Sequence, residues 1–367
     1  MKKILTLLLA LWMLTGCVAM AAGNQLVVGS TTAMSGAFFT DLFGSNTADM
    51  DVRALLHGYN LMSWDHETGT YQINDSVVAG MAVSRDAQNN RVYTFDLYGD
   101  LKFSDGSAIT AKDYAFSILL TASPELAKLG GQSAAVGAIL GMDAYQSGKS
   151  SVLRGVRLLS DTQMSITISK AYEPYFYEMA LFDYSPYPIS VLAPGCKVVD
   201  TEKGVGIVNA SGTGTAIFTA GLLQKTILDA ATGYMSHPSV VSGPYTLTRY
   251  DAQSGTASFA INPYYKGNED GEKPTIETIV YRTVANDEAI DLLLSGEVDL
   301  LNKMVAADTI SKGIQSTADQ PFSVANYPRS GLSMISFSCE RQTVSSKAVR
   351  QAIASCFDRD ALVKAYT

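Results

Sequence analysis

The chain has 367 residues, 47% of them hydrophobic, and sets 27 Lys and Arg against 35 Asp and Glu. That length can bury sizeable cores and suggests about two domains. A formal charge of -8 excludes the basic footprint of nucleic-acid binding, and an acidic surface is repelled by anionic lipid.

Lys2 and Lys3 precede an apolar run, Ile4 to Leu14, interrupted only by Thr6. A membrane span needs about 20 apolar residues, so the run reads as the core of a signal peptide. Leu14-Thr15-Gly16-Cys17 resembles the lipobox of bacterial lipoproteins, in which the cysteine is diacylated and the chain is cut before it. Residues 1–16 are therefore expected to be a leader, Cys17 the lipid-bearing first mature residue and 17–25 a short tether. The alternative is an ordinary signal peptide cut near Ala19-Met20-Ala21-Ala22, with Cys17 discarded.

Leu26 to Gly29 reads as a short strand, Ser30 to Thr47 as a loop of small and aromatic residues, and Val52 to Leu61 as a helix. Arg91 to Leu97 alternates, with Tyr93, Phe95 and Leu97 on one face, and predicts a strand. Ser104-Asp105-Gly106-Ser107 supplies turn residues, Gly106 being suited to positive φ. Thr110 then caps a helix to about Thr121, with Asp113 at the third helical position of a capping box, and Ser123-Pro124 begins another helix. Met164–Ser169, Ser258–Asn262 and Ile276–Arg282 predict strands, Glu288–Leu294 a helix, and Gly204–Gly214 a Gly/Ser-rich surface loop. At the end, Val349, Ile353 and Cys356 mark one apolar face of a helix over Lys347–Phe357, and Asp358 caps a further helix, Arg359–Ala365. Strands and helices mix throughout, which predicts an α/β or α+β fold.

Catalytic constellations are sparse. His57, His66 and His237 lie far apart, His66-Glu67 does not continue into a zinc motif, and no nucleophile elbow occurs. Gly148-Lys149-Ser150 has Asp143 where a phosphate loop needs glycine and reads as a turn. Cys196, Cys339 and Cys356 lack the spacing of a metal site or disulfide framework, so no cofactor and no metal is expected. Tyr172, Tyr175, Phe176, Tyr177, Phe182, Tyr184 and Tyr187 form an aromatic cluster that either packs on a core or borders a ligand groove.

Five blocks in order carry a resemblance. "YTFDLYGDLKFSDGSAITAKDYAFSI" (93–118), "GPYTLTRYD" (243–251), "NPYYKGN" (262–268), "LLSGEVDLL" (293–301) and "VRQAIASCFDRDALV" (349–363) are similar to blocks of the extracytoplasmic solute-binding proteins of peptide ABC importers, family 5. Tyr98 stands where that family usually has arginine, and Cys356-Phe357 replaces an Ala-Ile step.

The resemblance implies a two-lobed periplasmic-binding-protein-like α/β fold, with lobe I over 26–283 and the beginning of lobe II, incomplete, over 284–367. A chain ending at Thr367 is then expected to bind peptide weakly. Ligand contacts implied for lobe I are Phe43, Gly44, Ser45, Asn46 and Asp49 in the loop after the first strand, and Tyr281 in the strand leading to the hinge. The function implied is not enzymatic. A lipoprotein on the outer face of the bacterial cell membrane closes on an oligopeptide and hands it to ABC permease subunits. A nickel complex, oligosaccharide or signalling peptide as the solute, an anchored interaction or sensor protein, and a surface hydrolase are the alternatives.

Overall fold

The computed structural model describes residues 24–44, 46–65, 67–132, 137–326 and 334–366. The expected leader, Cys17, Ser45 and His66 lie outside the described residues.

Strand β1 (Gln25–Ser30) leads through a loop to helix α1 (Thr47–Leu56). The helix begins five residues before the apolar pattern that announced it, because Asn46 caps it: its side chain accepts the Asp49 N–H at 3.0 Å. A small hairpin follows, β2 (Met62–Asp65) and β3 (Thr70–Ile73). Then β4 (Val78–Arg85) pairs antiparallel with β5 (Arg91–Leu97). As its alternation requires, β5 buries Tyr93, Phe95 and Leu97.

Helix α2 (Ala111–Thr121) starts where the sequence places it. Thr110 donates both its N–H (2.8 Å) and its hydroxyl (2.9 Å) to Asp113 Oδ2. Tyr114 to Leu120 are all buried, which is what a helix apolar on every side must do. Ser123 caps α3 (Pro124–Ala127), and α4 (Met142–Gln146) follows. Short strands β6 (Val152–Leu153) and β7 (Val156–Leu158) precede β8 (Gln163–Ile168), giving a four-stranded sheet of order β4-β5-β8-β7.

After α5 (Ile189–Leu192) come β9 (Cys196–Thr201) and β10 (Gly204–Asn209), which form with β6 a second sheet of order β6-β10-β9. The expectation of a surface loop over 204–214 is corrected for 204–209, which form β10, while 210–214 are an exposed turn. Val205 is fully buried, and an added Cβ on Gly206 would come within 3.0 Å of the Ser151 carbonyl oxygen. The glycines therefore let two strands close on each other. Gly204 and Gly206 do not mark a loop, whereas Gly212 and Gly214, at φ 76° and 87°, belong to the exposed turn that follows. The larger core lies around α2 and these two sheets.

Helix α6 (Ala220–Thr226) leads to a meander, β11 (Tyr245–Asp251), β12 (Thr256–Ile261) and β13 (Thr278–Thr283). Strand β13 then lies parallel to β1, with Val28 opposite Tyr281 and Ser30 opposite Thr283. Helix α7 (Ala289–Leu294) returns the chain to β14 (Leu300–Leu301), which pairs parallel with the other edge of β1. The five-stranded order is β11-β12-β13-β1-β14. Val28, Phe38, Val52, Leu56, Phe259 and Tyr281 fill the core between this sheet and α1. Helices α8 (Ala307–Ser316), α9 (Lys347–Ser355) and α10 (Arg359–Tyr366) follow.

Two of the sequence blocks meet at the end of α1. The Gly243 N–H donates to the Leu56 carbonyl at 2.8 Å, while Asn262 Nδ2 donates to the Gly243 carbonyl at 2.8 Å. A Cβ on Gly243 would sit 2.5 Å from the Leu56 carbonyl carbon. Only glycine fits between the helix end and the sheet.

Candidate functional site

Strands β13, β1 and β14 run parallel, so their carboxyl ends open on the same side. That edge is where open α/β sheets collect ligand-contacting loops. Two segments cover it, the loop over 31–46 and residues 302–303 after β14.

Asp49 holds the first segment. Its Oδ1 accepts the N–H groups of Ser35 (2.8 Å) and Gly36 (3.2 Å), and its Oδ2 accepts the Ser35 hydroxyl (2.7 Å) and the Asn46 N–H (3.3 Å). Asn46 Nδ2 in turn donates to the Ala33 carbonyl at 2.9 Å. Asp49 is fully buried, and its charge sits at the amino end of α1, where the helix dipole favours it. A buried carboxylate accepting four donors fixes the loop's path.

The loop's tip borders an open cleft of about 380 Å³ lined by Asp41, Leu42, Phe43, Gly44, Gly130 and Gln132. The Gln132 N–H donates to the Leu42 carbonyl at 2.8 Å. Gly44 has φ 99° and open space around its α-carbon, so any side chain there would be strained.

The second part of the site centres on Asp51. Thr47 and Asp51 lie four residues apart on one face of α1, and Thr47 Oγ1 is 3.5 Å from Thr32 Oγ1, two residues past the end of β1. Asp51 Oδ2 accepts the Tyr281 hydroxyl at 2.9 Å and Asn302 Nδ2 at 2.8 Å. The Lys303 ammonium donates to Asp51 Oδ1. Burial, with the negative Asp51 beside it, pushes the Tyr281 phenol up to about 12, so it stays a donor at physiological pH. Lys303 takes φ 56°. A non-glycine residue in that region costs of order 1 kcal/mol or more, and such positions cluster at functional sites.

The expected contact residues thus fall in three places. Phe43 and Gly44 line the cleft, Asn46 and Asp49 lock the base of the loop, and Tyr281 presents only its hydroxyl to the edge. Asp51, Asn302 and Lys303 escaped the sequence reading, since no local pattern signals pairings across 230, 251 and 252 residues.

The aromatic cluster divides. Phe182 is fully buried, while Phe176 is 82% exposed, with Tyr172, Tyr175 and Tyr177 exposed beside it. His57 Nε2 is bound to the Phe38 carbonyl at 3.0 Å, and burial lowers its pKa to about 4; it is a structural group. Cys196 is buried and Cys339 and Cys356 are exposed, all three as free thiols. Among the described residues no helix is long and apolar enough to cross a membrane.

Residues 76–367 match the family described as Bacterial extracellular solute-binding proteins, family 5 Middle. The oligopeptide-binding protein OppA of Lactococcus lactis subsp. lactis (strain IL1403) is 27% identical over 233 residues, 62% of this chain and 32% of that protein. The nickel-binding periplasmic protein of Escherichia coli (strain K12) is 24% identical over 305 residues, 80% of this chain and 46% of that protein. The chain therefore spans 32% of one of these relatives and 46% of the other. Among solved structures, lactococcal OppA complexed with an endogenous peptide in the closed conformation superposes with a TM-score of 0.56 at 19% identity, covering 82% of this chain and 48% of that one. The α/β arrangement is that of the two-lobed binding proteins.

Proposed function

The chain belongs to the bacterial extracellular solute-binding proteins of family 5, and we propose that it captures oligopeptides outside the membrane and hands them to the permease of an ABC importer. One observation carries this reading: Asp51, Tyr281, Asn302 and Lys303 converge on the carboxyl edge of β13, β1 and β14. Beside them stands a loop that Asp49 holds rigid. A preformed polar edge of this kind suits binding, where the ordering cost is already met.

In this reading Phe43, Gly44, Ser45 and Asn46 border the ligand from the first lobe, and Tyr281 and Asp51 form the floor. On the same reading lobe I runs over 26–283 and lobe II begins at 284. Closure of the lobes buries the ligand. An extended peptide is read through its backbone groups, and water fills the side-chain pockets. Asp49 acts at one remove, by fixing the loop. Cys17 carries the lipid that keeps the protein at the membrane, two acyl chains sufficing for stable anchoring.

A nickel complex is the second solute to consider, because the nickel-binding relative aligns with 80% of this chain. Native mass spectrometry of the whole gene product mixed with tri- to pentapeptides and with nickel–histidine decides between them. Intact bound peptides support the proposal. Bound nickel–histidine without peptide favours the second solute, and cleaved peptides would mean a hydrolase. Fatty-acid labelling that persists in Cys17→Ser would refute the anchor.

A further inference from the structure

Asp51 is held in two separate ways. Its Oδ2 is satisfied by Tyr281 and Asn302 at 2.9 and 2.8 Å, while its Oδ1 receives Lys303. Tyr281 is buried, so its hydroxyl cannot swing away, and Asn302 hangs on a backbone whose N–H donates to the Gly29 carbonyl at 2.9 Å. Lys303 differs from both. Its side chain is 36% exposed, it sits on a positive-φ backbone just past the last strand, and an ammonium has three donors, of which Asp51 takes one.

Lys303 is thus the movable member of the group. If the ammonium turns outward, Asp51 keeps two donors on Oδ2 and is not left as an orphaned buried charge, the outcome that makes breaking such pairs costly. A cation arriving from solution meets the opposite situation. It would have to displace Lys303 from Oδ1 and remain beside it, two like charges a few ångströms apart.

We propose that Lys303 is a charge-selecting residue of this site, latched on Asp51 when the edge is empty and turning to receive a carboxylate of the solute. The proposal rests on the binding function inferred above. It assigns to this edge the anionic end of the ligand and predicts rejection of a cationic group there. Turned outward, the ammonium can bond the incoming carboxylate in a charge-assisted geometry, while Tyr281 and Asn302 still hold Asp51.

The test uses the whole gene product, trialanine as the free acid and trialanine amide as its neutral-ended counterpart. Wild type should bind the acid at least tenfold tighter. Lys303→Met should bring the two affinities within about twofold by weakening the acid alone, and Lys303→Arg should restore the preference. An acid-to-amide ratio unchanged in Lys303→Met overturns the proposal. If wild type binds neither peptide, the peptide reading fails by itself, and a second arm still decides the role of Lys303. Its side-chain NMR signal, assigned by its loss in Lys303→Met, should shift on titration with acetate and stay fixed with methylammonium. No acetate shift, or equal shifts with both ions, overturns the assignment.

Discussion

The Tyr281 hydroxyl lies 2.9 Å from Asp51 Oδ2 although 230 residues separate the two in sequence. The contact joins the third strand of the meander to the first long helix of the chain. It stands at the edge where three parallel strands end, so it couples the stability of the sheet to the shape of the candidate site. Tyr281→Phe keeps the buried ring and removes one hydrogen bond to a charged group, a loss of about 1.5–3 kcal/mol. Urea unfolding should show that loss as a lower midpoint with an unchanged slope. A midpoint equal to wild type would mean that the hydroxyl is not holding Asp51.

Asp49 should matter more for the loop than for any single ligand contact. Asp49→Ala removes the acceptor of four donors on Ser35, Gly36 and Asn46, at roughly 3 kcal/mol if two of them stay buried and unpaired. Amide hydrogen exchange across 33–46 should accelerate in this variant and remain slow in β5. Uniform acceleration throughout the protein would instead assign Asp49 to global stability alone.

Gly243→Ala tests the meeting of the sequence blocks. The new methyl would lie 2.5 Å from the Leu56 carbonyl carbon, and that backbone cannot yield without shifting α1. A destabilisation above about 2 kcal/mol is expected. Wild-type thermal stability in this variant would show that the helix end moves freely.

Two buried groups give opposing pH dependences. Burial raises the Asp113 carboxyl from 3.8 to about 6. Between those values the folded protein keeps a proton that the unfolded chain has released, so stability falls as pH rises across that window. At full effect the fall is no more than about 3 kcal/mol. Burial also lowers His57 from 6.5 to about 4. There the unfolded chain holds the extra proton, so stability rises with pH from about 4 to 6.5. In wild type the two slopes partly cancel. Asp113→Asn should therefore steepen the rise in urea midpoint from pH 4 to 6.5, and His57→Gln should turn it into a decline. Parallel profiles for all three proteins would contradict both assignments.

Local signals in the sequence were reliable where the physics is local. The alternation of Tyr93, Phe95 and Leu97 set the inward face of β5, and the spacing of Thr110 and Asp113 set the start of α2. Composition misled at Gly204–Asn209, because glycine placed for close strand packing looks the same in sequence as glycine placed for a turn. The site was legible in half. The loop at Phe43 to Asp49 could be pointed to, but the reason that Asp49 faces inward lies in the path of Ser35 and Gly36. The Asp51 network depends on β14 returning to β1, a tertiary event with no periodicity or spacing to announce it.

The central claim, that the edge formed by Asp51, Tyr281, Asn302 and Lys303 belongs to a solute site, is tested most directly by calorimetric titration. The whole gene product and its Asp51→Ala variant would each be titrated with the same pool of tri- to pentapeptides, circular dichroism confirming that both are folded. The account predicts saturable binding at micromolar or lower Kd for wild type and a loss of at least tenfold, about 1.4 kcal/mol, for the variant. Equal affinity in two folded proteins would contradict it.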